Sequence, residues 1–217
     1  MEKRKRKCLM LFVCILVLSL HAGASVSAKS KDVTKKYKSE VTKMLAPFDR
    51  YLCYPMTYGK ATGKFVFNDY TKTSMIIYSP IITAYSCEKV DSVKKKCLPK
   101  MKLYFGSNAK FKLKKYRGYQ IDNKLHYLFK NNNGRIVYTG GEYSVMDIPK
   151  GKVTKILQTS KNRYTVTYKE YLTNDYFGYP RQYRGTYQIY LKKASNTMGF
   201  IITNIKLISS AEWKHWK

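Results

Sequence analysis

The chain has 217 residues and sets 42 Lys and Arg against 13 Asp and Glu, a formal net charge of +29. So few carboxylates, with only three His, leave little material for acid–base catalysis or a metal site, while the cationic excess favours anionic partners and a salt-sensitive attraction to them. The length suits one domain that can bury a core without covalent staples.

The amino terminus reads as a secretory signal peptide. Lys3, Arg4, Lys5, Arg6 and Lys7 form a charged start, Cys8 to Leu20 an apolar run, and His21 to Ala28 a stretch of mostly small residues. That order is the export order. The apolar run is shorter than the roughly 20 residues needed to cross about 30 Å of hydrocarbon, which disfavours an uncleaved anchor. Cleavage fits after Ala24 or Ala28. The second is preferred because the polar chain begins at Lys29. Cys14 follows the bulky Val13, which argues against lipidation. The expected organisation is therefore a signal peptide over 1–28, a single domain over 29–208 and a tail over 209–217. Cleavage takes away five basic residues and Glu2, so +29 becomes +25. The expected destination is outside the cytoplasm, secreted or held at the cell envelope, and no later segment is long and apolar enough to span a membrane.

From Lys29 to about Phe105 the apolar spacing is helical. A first helix is predicted from the cap Asp32, with Val33, Tyr37, Val41, Met44, Leu45 and Phe48 on one face, kinked or ended by Pro47. Tyr51, Leu52 and Tyr54 would carry that face onward. Asn68 and Asp69 are caps for a second helix bearing Met75, Ile76, Ile77 and Tyr78. Asp91 would cap a third with Val93, Cys97, Leu98, Met101 and Tyr104 turned inward. Gly106 ends it, and Pro99 weakens it.

After Gly106 the period becomes two. Phe111 and Leu113 alternate with lysines. Tyr127 to Phe129 and Ile136 to Tyr138 flank Asn131 to Gly134, a hairpin turn. Val153 to Leu157 and Arg163 to Leu172 flank Ser160 to Asn162, with Tyr164, Val166 and Tyr168 on one face. Thr186 to Leu191 and Phe200 to Leu207 form the last pair. The 21 tyrosines suit half-buried strands. Helices followed by strands define an α+β domain, here amino-terminal helices packed on a curved antiparallel meander.

Two stretches carry a resemblance: the last hairpin, RGTYQIYLKKASNTMGFIITNIKLI, and the helix end KMKLYFG at Lys100 to Gly106. They are similar to the closing strands and a helix end of small secreted bacterial proteins in the nuclear-transport-factor-2-like, or cystatin-like, superfamily. The resemblance covers about a third of the chain after the signal peptide. It implies a cone-like sheet wrapping helices, with a pocket at the open end. In some members of that superfamily an Asp and a Tyr inside the cone do chemistry; no such motif maps onto residues here.

No catalytic, cofactor or metal-binding residue is assigned, and no hydrolase, metalloprotease or phosphate-loop motif occurs. Glu142, Asp147 and His126 form no constellation. Cys87 and Cys97 are the nearest pair for a disulfide, with burial as small apolar residues the competing expectation. Candidate anion contacts are Lys94, Lys95, Lys96, Lys112, Lys114, Lys115 and Arg117. The chain is expected to be a non-enzymatic, basic binding or envelope-associated protein whose partner is an anionic surface: cell-wall polymer, lipid headgroups or acidic glycan. No specific nucleic acid is expected. The alternatives are a small-ligand pocket protein or enzyme, with an enclosed cavity and inward Tyr hydroxyls meeting an Asp or His, and a homodimer through an apolar sheet face between Val153 and Leu207.

Overall fold

A computed structural model describes residues 30–57, 65–82, 84, 87–117, 128–139, 148–174 and 179–211. The segment expected to be a signal peptide, His126, Tyr127, Glu142, Asp147, the side chain of Tyr54 and the tail beyond Ala211 lie outside the described residues. The fold is α+β with a mostly antiparallel sheet.

Strand β1 (Lys31–Asp32) pairs with strand β5 (Ile148–Ser160) and leads into helix α1 (Thr34–Leu45). Val33, not Asp32, occupies the cap position, because Asp32 is held in the strand. The Asp32 carboxylate still accepts the Thr34 N–H at 2.9 Å. A 3-10 turn at Ala46–Phe48 takes in Pro47, and α2 (Asp49–Thr57) follows. Val41, Met44, Leu45, Phe48, Tyr51 and Leu52 are buried, so the apolar face passes through the proline turn as its spacing predicts.

Helix α3 (Asp69–Tyr78) starts at Asn68, whose side chain accepts the N–H groups of Tyr70 and Thr71. Helix α4 (Val90–Phe105) starts at Lys89; Asp91 lies in its first turn and is not its cap. Val93, Cys97, Met101 and Tyr104 are buried while Leu98 is only half-buried. Pro99 sits inside this helix, on its exposed side, and does not end it. Gly106 ends it at φ +91°, a conformation L side chains rarely take.

The other long strands are β6 (Arg163–Asn174), β7 (Tyr179–Lys193) and β8 (Phe200–Ser210). With β1 and β5 they form a five-stranded antiparallel sheet in the order β1-β5-β6-β7-β8. Strand β8 runs to Ser210, past the expected domain end at Ile208. The long strands β5 to β8 form the expected antiparallel meander, and the shorter strands that follow α4 lie apart from it. The hairpin of β3 (Phe129–Asn132) and β4 (Arg135–Tyr138) belongs to a separate three-stranded sheet. Its third member, β2 (Lys114–Lys115), pairs in parallel with β3. Phe111 and Leu113 are therefore in no strand, and instead pack half-buried on the core.

The helices cover one face of the large sheet. Helix α1 packs on β5, α2 spans β5 to β7, and α4 lies against β8. Inward residues alternate along the strands, among them Val153, Ile156, Tyr164, Val166, Tyr168, Tyr187, Ile189, Leu191, Phe200 and Ile202. Tyr37, Tyr164 and Phe200 meet edge to face with centroids 5.2 to 5.5 Å apart, joining α1 to β6 and β8. Among the described residues no helix is long and apolar enough to cross a membrane.

Candidate functional site

Two places carry polar groups in number. One is buried between α2 and the sheet. The other is the sheet face turned away from the helices.

The buried centre is built on Gly151. Tyr168 lies beside it on β6, and a Cβ on Gly151 would collide with the Tyr168 ring. The bare glycine lets that ring cross to α2, where its hydroxyl donates to Asp49 Oδ1. The Gly151 N–H donates to Asp49 Oδ2 at 2.9 Å. The Tyr187 hydroxyl donates to the Leu52 carbonyl at 2.7 Å. Glu170 is fully buried, and among the described residues neither of its carboxyl oxygens has a hydrogen-bond partner. Burial holds its pKa well above the carboxylate range, and the nearby Asp49 charge pushes the same way. Asp49 is also raised, by burial, against the opposing pull of its bonds from Gly151 and Tyr168. Tyr168 and Tyr187 are raised well above the phenol range, chiefly by burial. Arg184, also fully buried, is the extra residue at a bulge where β7 passes Glu170. An inward Asp and Tyr do converge here, but on each other: their polar groups hold α2 to the sheet.

The outward face has a different character. The register sets Lys152 opposite Lys169, Lys150 opposite Tyr171, Lys155 opposite Thr167 and Arg163 opposite Lys192. On β8, Lys206 stands opposite Gln188. Arg181 lies over the Tyr171 ring at 3.8 Å from its centroid. On β5 to β8 the one described acidic residue is Glu170, and it points inward. Opposed like charges in a sheet cost stability. Here two such pairs, Lys152–Lys169 and Arg163–Lys192, stand with no salt bridge to relieve them among the described residues. Thr165, Thr167, Thr186 and Thr203 share the strands with them.

The cations singled out from sequence fall in two groups on other elements. Lys94 and Lys95 are exposed on α4 and line an open depression of about 630 Å³ with Asp91, Leu98, Pro99 and Lys102. Lys96 is paired to Glu88 at 2.6 Å, so its charge is partly neutralised. Lys112 and Lys114 approach the Tyr70 ring at 5.8 and 4.3 Å, and Lys115 and Arg117 are exposed just beyond them in the chain. Apart from Lys192, which adjoins Lys193, the sheet cations escape a reading by charge runs because each is single in sequence. The strand period, which turns Lys150, Lys152 and Lys169 to one side, is the signal that finds them.

Of the two expectations for Cys87 and Cys97, the bridge does not form. Cys97 faces the core from α4, where burial raises its thiol to about 12, and Cys87 is exposed; Cys53 is buried. Among the described residues no group of His, Cys, Asp and Glu is placed to hold a metal ion. Comparison with protein-family models, with curated proteins and with solved structures gave no match.

Proposed function

We propose that this protein is exported and acts outside the cytoplasm as a non-enzymatic adhesion protein, held to anionic polymers or surfaces by the outward face of its large sheet. The observation that carries this reading is the charge of that face: cations on every long strand and no outward carboxylate on β5 to β8 among the described residues. A polyanion gains from many such contacts at once, and salt weakens each. The signal-peptide order of the first 28 residues supplies the compartment. The α+β arrangement is in keeping with the nuclear-transport-factor-2-like resemblance.

The enzyme reading is weaker because Asp49, Tyr168 and Tyr187 are engaged in structural bonds. The homodimer reading is weaker because the outward face carries Lys, Thr, Gln and Tyr rather than a contiguous apolar patch.

The test is retention on phosphocellulose at low salt, with elution by rising salt. Reversing Lys152, Lys155 and Lys169 to Glu should bring elution forward substantially more than reversing Lys94, Lys95 and Lys102. Flow-through of the unaltered protein at low salt refutes adhesion, and equal effects of the two triple variants refute the choice of face.

A further inference from the structure

The outward face is not flat at the end where β5 turns into β6. A depression of about 480 Å³ lies there, lined by Thr159, Arg163, Thr165, Tyr190, Lys192 and Thr203. Two register shifts shape it. Thr159 is the extra residue between Gln158 and Ser160, and Thr203 the extra residue where Tyr190 and Leu191 pair with Asn204 and Ile202. Bulges bend a strand and re-aim its side chains. Their own hydroxyls are committed to the backbone: Thr159 donates to the Arg163 carbonyl at 3.3 Å and Thr203 to the Tyr190 carbonyl at 3.1 Å. The Tyr190 hydroxyl donates to Gln188 at 2.7 Å.

Into this frame come Arg163 and Lys192, directly opposed across β6 and β7, near the opposed pair Thr165 and Tyr190. The arrangement sets a guanidinium, an ammonium and a hydroxyl around one small concavity. Like charges so placed repel until an anion sits between them. A guanidinium fork takes two oxygens in a plane. An ammonium and a hydroxyl beside it suit an acceptor with further oxygens out of that plane, which a tetrahedral oxyanion has and a carboxylate lacks.

We infer that this depression is a phosphate-recognition point, and that the polymer the face binds is a phosphodiester-linked polyol or sugar chain that carries no bases. Arg163 takes the two non-bridging phosphate oxygens, Lys192 neutralises the charge, and Thr165 donates to an ester or hydroxyl oxygen of the attached polyol. Nucleic acid fits the face less well: the Tyr171 ring is covered by Arg181 and packed on Tyr183, and Lys206 lies over the Tyr190 ring at 5.5 Å, so neither is a bare stacking platform. A bilayer fits less well because the depression is concave. The inference rests on the adhesion reading and adds the ligand's chemistry to it.

The experiment measures the affinity of the purified protein for four probes of matched charge: a glycerol-phosphate oligomer, a carboxylate polysaccharide, single-stranded DNA and phosphatidylglycerol vesicles. Three variants are compared: Arg163→Gln with Lys192→Gln, Lys152→Gln with Lys169→Gln, and Arg163→Lys. The expected result is that the first pair weakens binding of the phosphate oligomer by about tenfold or more. The second pair, removing equal charge outside the depression, should weaken it by only about threefold. Arg163→Lys keeps the charge but not the fork, so it should fall between them, and melting temperatures no lower than the parent's certify the fold. Equal loss from the two pairs, or a wild-type preference for the carboxylate polymer, DNA or vesicles, overturns the inference while leaving adhesion standing. Failure of the unaltered protein to bind any of the four overturns the adhesion reading itself.

Discussion

Glu170 is the residue whose chemistry is least at ease with its place. A carboxyl in that position is held neutral by burial, and ionising it in the fold costs more than ionising it in the unfolded chain. Its folded pKa is raised, so its contribution to stability is complete below the unfolded value of about 4.3 and is lost as pH rises toward the folded value. Glu170→Gln should therefore leave stability near that of the parent at about pH 4 and exceed it increasingly toward about pH 8, read as the difference between paired thermal melts. A difference that does not change with pH would show that Glu170 does not titrate against folding. Asp49 adds to the same trend, its pKa also being raised. Gly151→Ala should cost roughly 1–3 kcal/mol in chemical denaturation, since the new Cβ collides with the Tyr168 ring and displaces its hydroxyl from Asp49. From sequence, Tyr168 reads only as an inward strand residue. Nothing local says that a ring on one strand lies over a glycine on the next and bonds a carboxylate on a helix, because that contact exists only once the register is known.

Among the elements, helix α3 shows how much a local signal can determine. Asn68 caps it through two N–H groups, and Asn68→Ala should destabilise the protein by about 1 kcal/mol in denaturant unfolding. Helix α4 shows the opposite. Pro99 removes one backbone donor from its interior, yet the helix runs on to Gly106 because Val93, Cys97, Met101 and Tyr104 are buried along one side. Tertiary burial outweighs the local break, so Pro99→Ala should raise the melting temperature; a fall would mean that the proline itself fits α4 to β8. The two-residue strand β2 is illegible in sequence for a related reason. Its parallel pairing to β3 spans a long stretch of chain, and alternation at Phe111 and Leu113 reports half-burial on the core rather than a strand. The hairpin turn of β3 and β4 is legible, because Asn133 and Gly134 both adopt positive φ, as a two-residue turn of this kind demands.

For the whole molecule, the separation of core from charge is the governing fact. The four long strands and three of the helices can be read from period and punctuation, and so can the class of fold. The cationic face cannot, since most of its lysines and arginines are isolated in sequence and are gathered only by pairing. A face of opposed cations should make the fold more stable as salt screens it, so the melting temperature should rise between about 20 mM and about 300 mM salt, where the Debye length shortens to well under about 10 Å. A flat or falling trend would show that the face is not under repulsion. The thiols offer a different use of the same architecture. Cys87 lies at the surface at φ 70°, its N–H donated to the Ile136 carbonyl at 2.7 Å, while Cys53 and Cys97 are sealed inside. Among these three, a thiol-reactive dye should mark the native protein at Cys87 alone, far in sequence from the cationic strands, and give a tracer whose attachment leaves adhesion intact. The appearance of further label on the other two would then time each opening of the core, molecule by molecule.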